Sequence, residues 1–326
     1  MGLSLLIVVL HYRGLDDTLE CIASLSRQSY RNQSNANQSA GDIHTVVVDN
    51  ASADGLRDRL AAEYPWVEVL ELAENRGWSG GNNAGIRVAI ARRMDVVCLL
   101  NNDTVLPAGA IEKLLATAAF LGPCILHPAI DAYDQDDAVQ LDPAIPQPPE
   151  LGVTPITGRA GLFEISSING ACLMAHLGVF LRIGLIDERF FLLCEDADLG
   201  ARAVAAGYRL FCDASVRIQH KESRSFGGRR KPIKTYYGIR NILLFCEKQD
   251  GIWRNILGAG RTVVWAACGA AEAGGADPGT LWGLLRWSLS GDLFARAMRM
   301  GVRDYLLRRF GRINKGDEDI LTAVPK

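Results

Sequence analysis

Apolar residues in the first 127 positions fall into short blocks separated by amphipathic stretches, the rhythm of strands alternating with helices. Leu3–Leu10 reads as a buried strand, and Asp16, Asp17 and Thr18 then offer N-cap chemistry for a helix carrying Leu19, Ile22 and Leu25. Gln28–Asp42 is a polar loop. Thr45–Val48 reads as the second strand, and a helix over Leu56–Tyr64 stops at Pro65. Val67–Leu72 is a short strand, Asn82–Arg93 a helix, and Val96–Leu100 a strand apolar enough to be covered on both faces. Pro107 suits the first turn before a helix over Ala108–Leu121. Strands and helices alternating at this spacing predict a doubly wound, mainly parallel α/β sheet.

The texture changes after His127. Residues 131–163, rich in Asp, Pro and Gly, read as a long irregular excursion. A strand is predicted over Ile165–Ala175, a helix over Leu177–Ile183, and an acidic helix from Glu195 to Ala206 with Gly207 at its C′ position. Tyr208–Phe211 and Val216–Ile218 read as short strands. Beyond residue 250 the pattern is helical and locally basic. In Asp292–Phe310 one face carries Phe294, Met298, Val302 and Tyr305, and the other Arg296, Arg299 and Arg303. Such a helix fits an anionic membrane surface, or equally a docked helix with a solvated arginine face. The organisation expected is a domain over 1–245, in halves 1–127 and 128–245, followed by a helical, partly basic extension over 246–326.

Composition alters this picture little. A chain of 326 residues, 48% hydrophobic and 22% charged, has the make-up of a folded globular protein. A net charge of −2 gives no reason to expect a nucleic-acid partner. The eight cysteines form no C-x-x-C pair, which argues for reduced thiols and against a disulfide framework or structural zinc. The apolar N-terminus lacks a basic leader and a cleavage site, and no run is long enough to span a bilayer.

The chemistry gathers in five places. Asp49-Asn50-Ala51-Ser52-Ala53-Asp54 follows the second strand; a carboxylate there can meet a ribose or base, while Ser52 and Asp54 equally suit a helix cap. Gly77, Gly80 and Gly81, with Asn82 and Asn83, precede a predicted helix, where backbone N–H groups can approach a diphosphate; glycines serve plain turns as well. Asn101-Asn102-Asp103-Thr104 ends the fourth strand, and a carboxylate among amide oxygens suits Mg²⁺ or Mn²⁺. Glu195, Asp196 and Asp198 crowd a helix start behind the apolar run Phe190–Leu193, a setting that raises a carboxyl pKa toward general-base range. Lys234–Asn241 adds aromatic and cationic side chains, for a phosphate or for a core.

Taken in order, these motifs resemble an inverting nucleotide-sugar glycosyltransferase of family 2 with the GT-A fold, and within it the rhamnosyltransferase-like branch. The resemblance covers residues 3–245 and extends through Asn169-Gly170-Ala171, Asp187-Glu188-x-Phe190-Phe191, Glu195-Asp196-x-Asp198, His220 and Tyr237-x-x-Arg240-Asn241. It implies donor contacts from Tyr12, Asp49, Asn50, Gly77, Gly80, Asn83, Asn102, Asp103 and Arg240. It also implies a metal at Asp103 and His220, and Asp196 as the base with Glu195 beside it. Two departures stand out: His11-Tyr12-Arg13 replaces an Asn-Tyr-Asn-like end of strand one, and Asn101 replaces the first acid of the Asp-x-Asp signature.

The implied reaction is a single displacement at the anomeric carbon, from a nucleotide sugar (dTDP-L-rhamnose, or a UDP-sugar) to a hydroxyl of a cell-surface or polyprenyl-linked glycan. The implied setting is cytoplasmic, at the inner membrane face, with peripheral contact through the C-terminal helices. It requires the Asp103 loop and the Asp196 turn to face one cleft. The rival readings are a sugar-phosphate nucleotidyltransferase, for which Leu10–Asp17 supplies no basic Gly-rich turn, and an inactive membrane-surface scaffold of the same fold.

Overall fold

The computed structural model describes residues 2–29, 42–132, 154–221, 231–249, 268, 271, 275 and 280–322. Most of the predicted loop at 28–42 and of the excursion at 131–163 lies outside them. The described chain forms two compact units: one of residues 1–186 with 199–225, the other of 187–198 with 226–326.

The first unit is built on a ten-stranded sheet. In chain order it contains β1 (Leu5–His11), α1 (Leu15–Ser26), β2 (Ile43–Asp49), α2 (Leu56–Glu63), β3 (Glu68–Glu71), α3 (Gly77–Ala91), β4 (Val96–Asn101), β5 (Thr104–Val105) and α4 (Ala110–Leu121). Next come β6 (Cys124–Ala132), β7 (Thr154–Pro155), β8 (Leu162–Ile165), β9 (Cys172–His176) and α5 (Leu177–Ile183). α6 (Glu195–Ala205) and β10 (Arg209–His220) follow. The order across the sheet is β3-β2-β1-β4-β9-β6-β10-β8-β7, with β5 on the end of β10. β3, β2, β1 and β4 run parallel, whereas β9 is antiparallel to both β4 and β6. The sheet is therefore the expected α/β type, parallel in its first half and mixed in its second.

Continuous apolar runs become central strands because both faces are covered. Leu5 to Val9 and Val96 to Leu100 are all at most 1% exposed. The core below them gathers Ile7, Val9, Ile22, Leu25, Cys98, Leu114 and Leu126. All eight cysteines are free thiols, and Cys21, Cys98, Cys124, Cys172 and Cys212 are buried, where they pack as small hydrophobes.

Several boundaries differ from the periodicity, each for a physical reason. α3 starts at Gly77 rather than Asn82, so Gly80, Gly81 and Gly85 lie inside the helix. A Cβ at Gly81 would come within 2.3 Å of Leu10, and one at Gly85 within 2.2 Å of Val8. Gly81 and Gly85 therefore let α3 press on β1 from within the helix. No side chain caps α1 or α2, which begin after the left-handed residues Gly14 and Gly55. Asp16 and Asp17 sit in the first turn of α1, facing the positive end of its dipole. The single strand expected over 165–175 is two, β8 and β9, while the two expected at 208–218 are one long β10 with a register shift between Asp213 and Arg217.

The second unit is helical. After the start of α6 it contains α7 (232–249), α8 (Leu281–Ser288), α9 (Leu293–Leu306) and α10 (Lys315–Thr322). One core joins Phe191, Ile233, Tyr236, Tyr237, Ala297 and Met300, and another joins Ile239, Leu243, Leu284 and Met298. Gly301 is required here, since a Cβ would meet the Tyr236 carbonyl at 2.7 Å.

Candidate active site

In the first unit the parallel register aligns three chemical positions at strand ends. His11 pairs with Asp49 across β1 and β2, and Leu10 pairs with Asn101 across β1 and β4. Carboxyl ends of parallel strands are where open α/β sheets bind ligands. Asp49 is nearly buried and its Oδ1 accepts from the Ser52 amide at 2.9 Å. Tyr12 follows β1, half-buried, with the Arg13 guanidinium 5.2 Å from its ring centroid.

The β5–β10 pairing sets the sharpest feature. His220 lies opposite Thr104, which brings its Nε2 to 3.1 Å from Asp103 Oδ1. The Lys221 amide donates to the Asp103 carbonyl at 3.0 Å, so the two loops are also joined through the backbone. Lys221 Nζ, itself buried, meets Asp17 at 2.6 Å and Glu20 at 2.5 Å, fastening the end of β10 to α1. Those two contacts outweigh burial and hold the Lys221 pKa above its ordinary value. Nothing local in the sequence signals Lys221, because its partners lie some two hundred residues away.

Asn101 and Asn102 serve this loop from within. Asn101 Oδ1 accepts from the Trp78 indole at 2.8 Å, an uncharged acceptor where the family signature has an acid. Asn102 Nδ2 donates to Thr18 Oγ1 at 2.8 Å and to the Arg13 carbonyl at 3.2 Å. Thr18 in turn lies 2.7 Å from His11 Nδ1, and His11 Nε2 lies 3.1 Å from Asp54. Burial lowers the His11 pKa, although Asp54 and Asp49 pull the other way. The imidazole is then neutral at neutral pH. Its Nε2–H donates to Asp54 and its Nδ1 accepts the Thr18 hydroxyl. One buried histidine thus ties together the loops after β1, β2 and β4, and Asp54 is its partner rather than a helix cap.

Other predicted donor residues are committed to the fold. Asn50 Oδ1 accepts from the Arg76 amide at 2.8 Å, and its Nδ2 donates to Asn75 and to the Gly77 carbonyl, both at 3.0 Å. Asn83 clamps the Ile186 backbone with both ends of its amide, at 2.8 and 3.0 Å. Gly77 has φ +70°, a conformation that favours glycine where the turn enters α3. Gly80 is buried one turn later, with its amide on the Arg76 carbonyl.

The second unit holds the acidic turn. Leu193 and Cys194 both have positive φ, 71° and 69°, immediately before α6. Two successive non-glycine residues in this region are strained and persist only when braced. The brace is Asn241, whose Nδ2 donates to the Leu192 and Leu193 carbonyls at 2.7 and 2.8 Å. Arg240 orients that amide through Nε at 3.0 Å, reaches the Gly311 carbonyl at 2.7 Å, and lies 5.0 Å from the Tyr237 ring centroid. Arg240 is fully buried, and these hydrogen bonds all run to its own unit, so it serves the core, one of the two roles the sequence left open for this segment.

On this turn the two adjacent acids differ. Glu195 is buried, and its Oε2 has no hydrogen-bond partner among the described residues. Burial, then the nearby Asp196 charge, raises its pKa well above the ordinary carboxyl range. Asp196 is half-buried and accepts from the Ala197 amide at 2.8 Å. Asp198 is buried against Lys248 Nζ at 2.5 Å, which also meets Asp187 at 2.7 Å and pins the first turn of α6. The raised carboxyl expected from the sequence is therefore Glu195, while Asp196 keeps access to solvent.

Comparison with known proteins bears on the fold and the reaction class. Residues 6–156 match the model of glycosyl transferase family 2. The chain is 25% identical over 246 residues to N-acetylglucosaminyl-diphospho-decaprenol L-rhamnosyltransferase of Mycobacterium tuberculosis, covering 65% of this chain and 77% of that protein. It superposes with TM-score 0.58 on a mannosyltransferase of Pyrobaculum calidifontis in complex with GDP-Man and Mn²⁺, at 15% identity, over 95% of this chain and 88% of that one. With GalNAc-T7, determined with UDP, GalNAc and Mn²⁺, the TM-score is 0.56 at 14% identity, over 76% of this chain but only 48% of that one. The ordered motifs, the family match and the shared sheet lead to one conclusion: the chain carries a family 2 glycosyltransferase domain and is a glycosyltransferase with the GT-A fold.

Proposed function

We propose that the protein is an inverting, metal-assisted transferase that moves a sugar from a nucleoside diphosphate to a hydroxyl of a lipid-linked or cell-surface glycan, with dTDP-L-rhamnose as the favoured donor. The observation that carries this reading is the Asp103–His220 pair at the strand ends. A carboxylate oxygen and an imidazole nitrogen suit Mn²⁺ or Mg²⁺ and leave most of a six-coordinate shell for diphosphate oxygens and water. Among the described residues no group of three or more His, Cys, Asp or Glu could hold a metal alone. The ion is therefore expected to bind together with the donor. The rhamnosyl and decaprenol specificity named for the mycobacterial relative supports the choice of sugar and acceptor.

Asp103 and His220 would hold the ion, which when bound supplies positive charge to the departing diphosphate. Asp49 meets the ribose or base, and the His11–Thr18–Asn102 chain keeps that loop in register with Asp103. Asp196 takes the proton from the acceptor hydroxyl as its oxygen attacks the anomeric carbon. Burial, then the Asp196 charge, raises the Glu195 pKa and so favours its neutral form beside that base. Among the described residues no helix is long and apolar enough to cross a membrane. Peripheral contact at the cytoplasmic face rests on the lipid-linked acceptor alone.

The test is a thermal-shift panel of dTDP and UDP, with and without Mn²⁺, followed by transfer assays from the matching sugars. Nucleotide and ion together should stabilise the protein more than the sum of each alone, since joint binding shifts unfolding by mass action. Additive shifts, or none, would overturn the shared metal–donor site.

A further inference from the structure

The sequence left α9 open between a membrane-facing helix and a docked one with a solvated arginine face. The structure commits two of those arginines elsewhere. Arg299 donates to the Ser290 carbonyl at 2.9 Å and to that of Ser288, and Arg303 pairs with Asp304 at 2.8 Å and Asp317 at 2.7 Å. The helix before it has the opposite character. α8 turns Leu284 and Trp287 into the core shared with Ile239, Leu243 and Met298. Its other face leaves Trp282 77%, Leu285 46% and Leu289 73% exposed. Positions 282, 285 and 289 share one helical stripe, and the exposed Arg286 falls on its flank. Residues 280–291 contain no acid at all.

We propose that α8 docks on an anionic lipid surface, seating Trp282, Leu285 and Leu289 at the headgroup–acyl boundary with Arg286 on a lipid phosphate. An indole is at home at such a boundary, apolar on its rings and polar at its N–H. A helix with one apolar face already buried and a second left bare, edged by a cation and free of acids, is complementary to that surface. A protein partner would more commonly be met by a polar rim around the apolar centre. The inference rests on the lipid-linked acceptor reading for its choice of a membrane as occupant. It does not depend on which sugar moves.

Vesicle sedimentation tests it without donor or acceptor. The full chain should bind vesicles of phosphatidylcholine mixed with phosphatidylglycerol more strongly than vesicles of phosphatidylcholine alone, with a blue shift of tryptophan emission. Trp282→Ser with Leu289→Ser should weaken that binding on the order of tenfold or more, the loss expected for withdrawing two large apolar side chains. Its melting temperature should stay unchanged, because both side chains are exposed. Arg286→Glu should reduce the preference for the anionic vesicles. Equal binding by the double variant, or no vesicle binding by the parent chain, would overturn the proposal. So would a parent chain that dimerises through this face while ignoring vesicles. Sugar transfer to a soluble acceptor separates the two readings. Transfer without vesicle binding sinks only the docking helix, and vesicle binding without transfer sinks only the transferase reading.

Discussion

Replacing Asp196 and Glu195 separately by their amides distinguishes the two neighbouring acids. Asp196→Asn removes the base from a half-buried carboxylate while keeping its shape, and a positioned base contributes on the order of 10²–10⁴-fold. That is about 3–5 kcal/mol of barrier. The turnover number should fall by that factor while the thermal shift from nucleotide plus Mn²⁺ stays intact. Glu195→Gln replaces a group whose neutral form burial favours, so turnover should stay within about tenfold of the parent. Stability gives an independent reading. A carboxyl whose folded pKa is raised contributes its full stabilisation below the unfolded value, and loses it as pH rises through the folded value. The parent should therefore lose stability more steeply than Glu195→Gln as pH rises above the ordinary glutamate range, by about 1.4 kcal/mol for each pH unit in which only the unfolded state is ionised. Urea melts across that rise measure this. If Glu195→Gln loses as much turnover as Asp196→Asn with donor binding intact, the assignment of roles is reversed. Parallel pH curves would remove the buried, neutral Glu195.

Three further outcomes are expected. Asp103→Ala should abolish the extra thermal shift that Mn²⁺ adds to the nucleotide, leaving the protein folded. Asn241→Ala, which releases the Leu192 and Leu193 carbonyls, should cost about 1–3 kcal/mol in a urea melt and depress turnover more than donor affinity. Gly85→Ala should destabilise by about 1–3 kcal/mol through its clash with Val8, and adding Val8→Ala should recover part of that loss in a double-mutant cycle.

The alternation of apolar strands and amphipathic helices determined the α/β architecture by itself, because strands covered on both faces must be apolar throughout. The carboxylates at strand and helix ends were legible for a related reason. A charge adjoining a buried run has to be placed at its end, where solvent or a ligand can meet it. Asp49, Asp103 and Asp196 were recognisable on that ground. What the sequence could not show is which polar groups spend their hydrogen bonds inside the protein. Asn50, Asn83 and Arg240 were implied as ligand contacts, and each also bonds backbone atoms brought near only by packing. Gly81 looked like part of a phosphate turn, and only the approach of α3 to β1 shows that it spaces the helix from Leu10. The Asp103–His220 and Lys221–Asp17 pairs depend on β5 meeting β10, a long-range register with no local signature. Periodicity is a property of neighbours along the chain, whereas hydrogen-bond satisfaction belongs to neighbours in space.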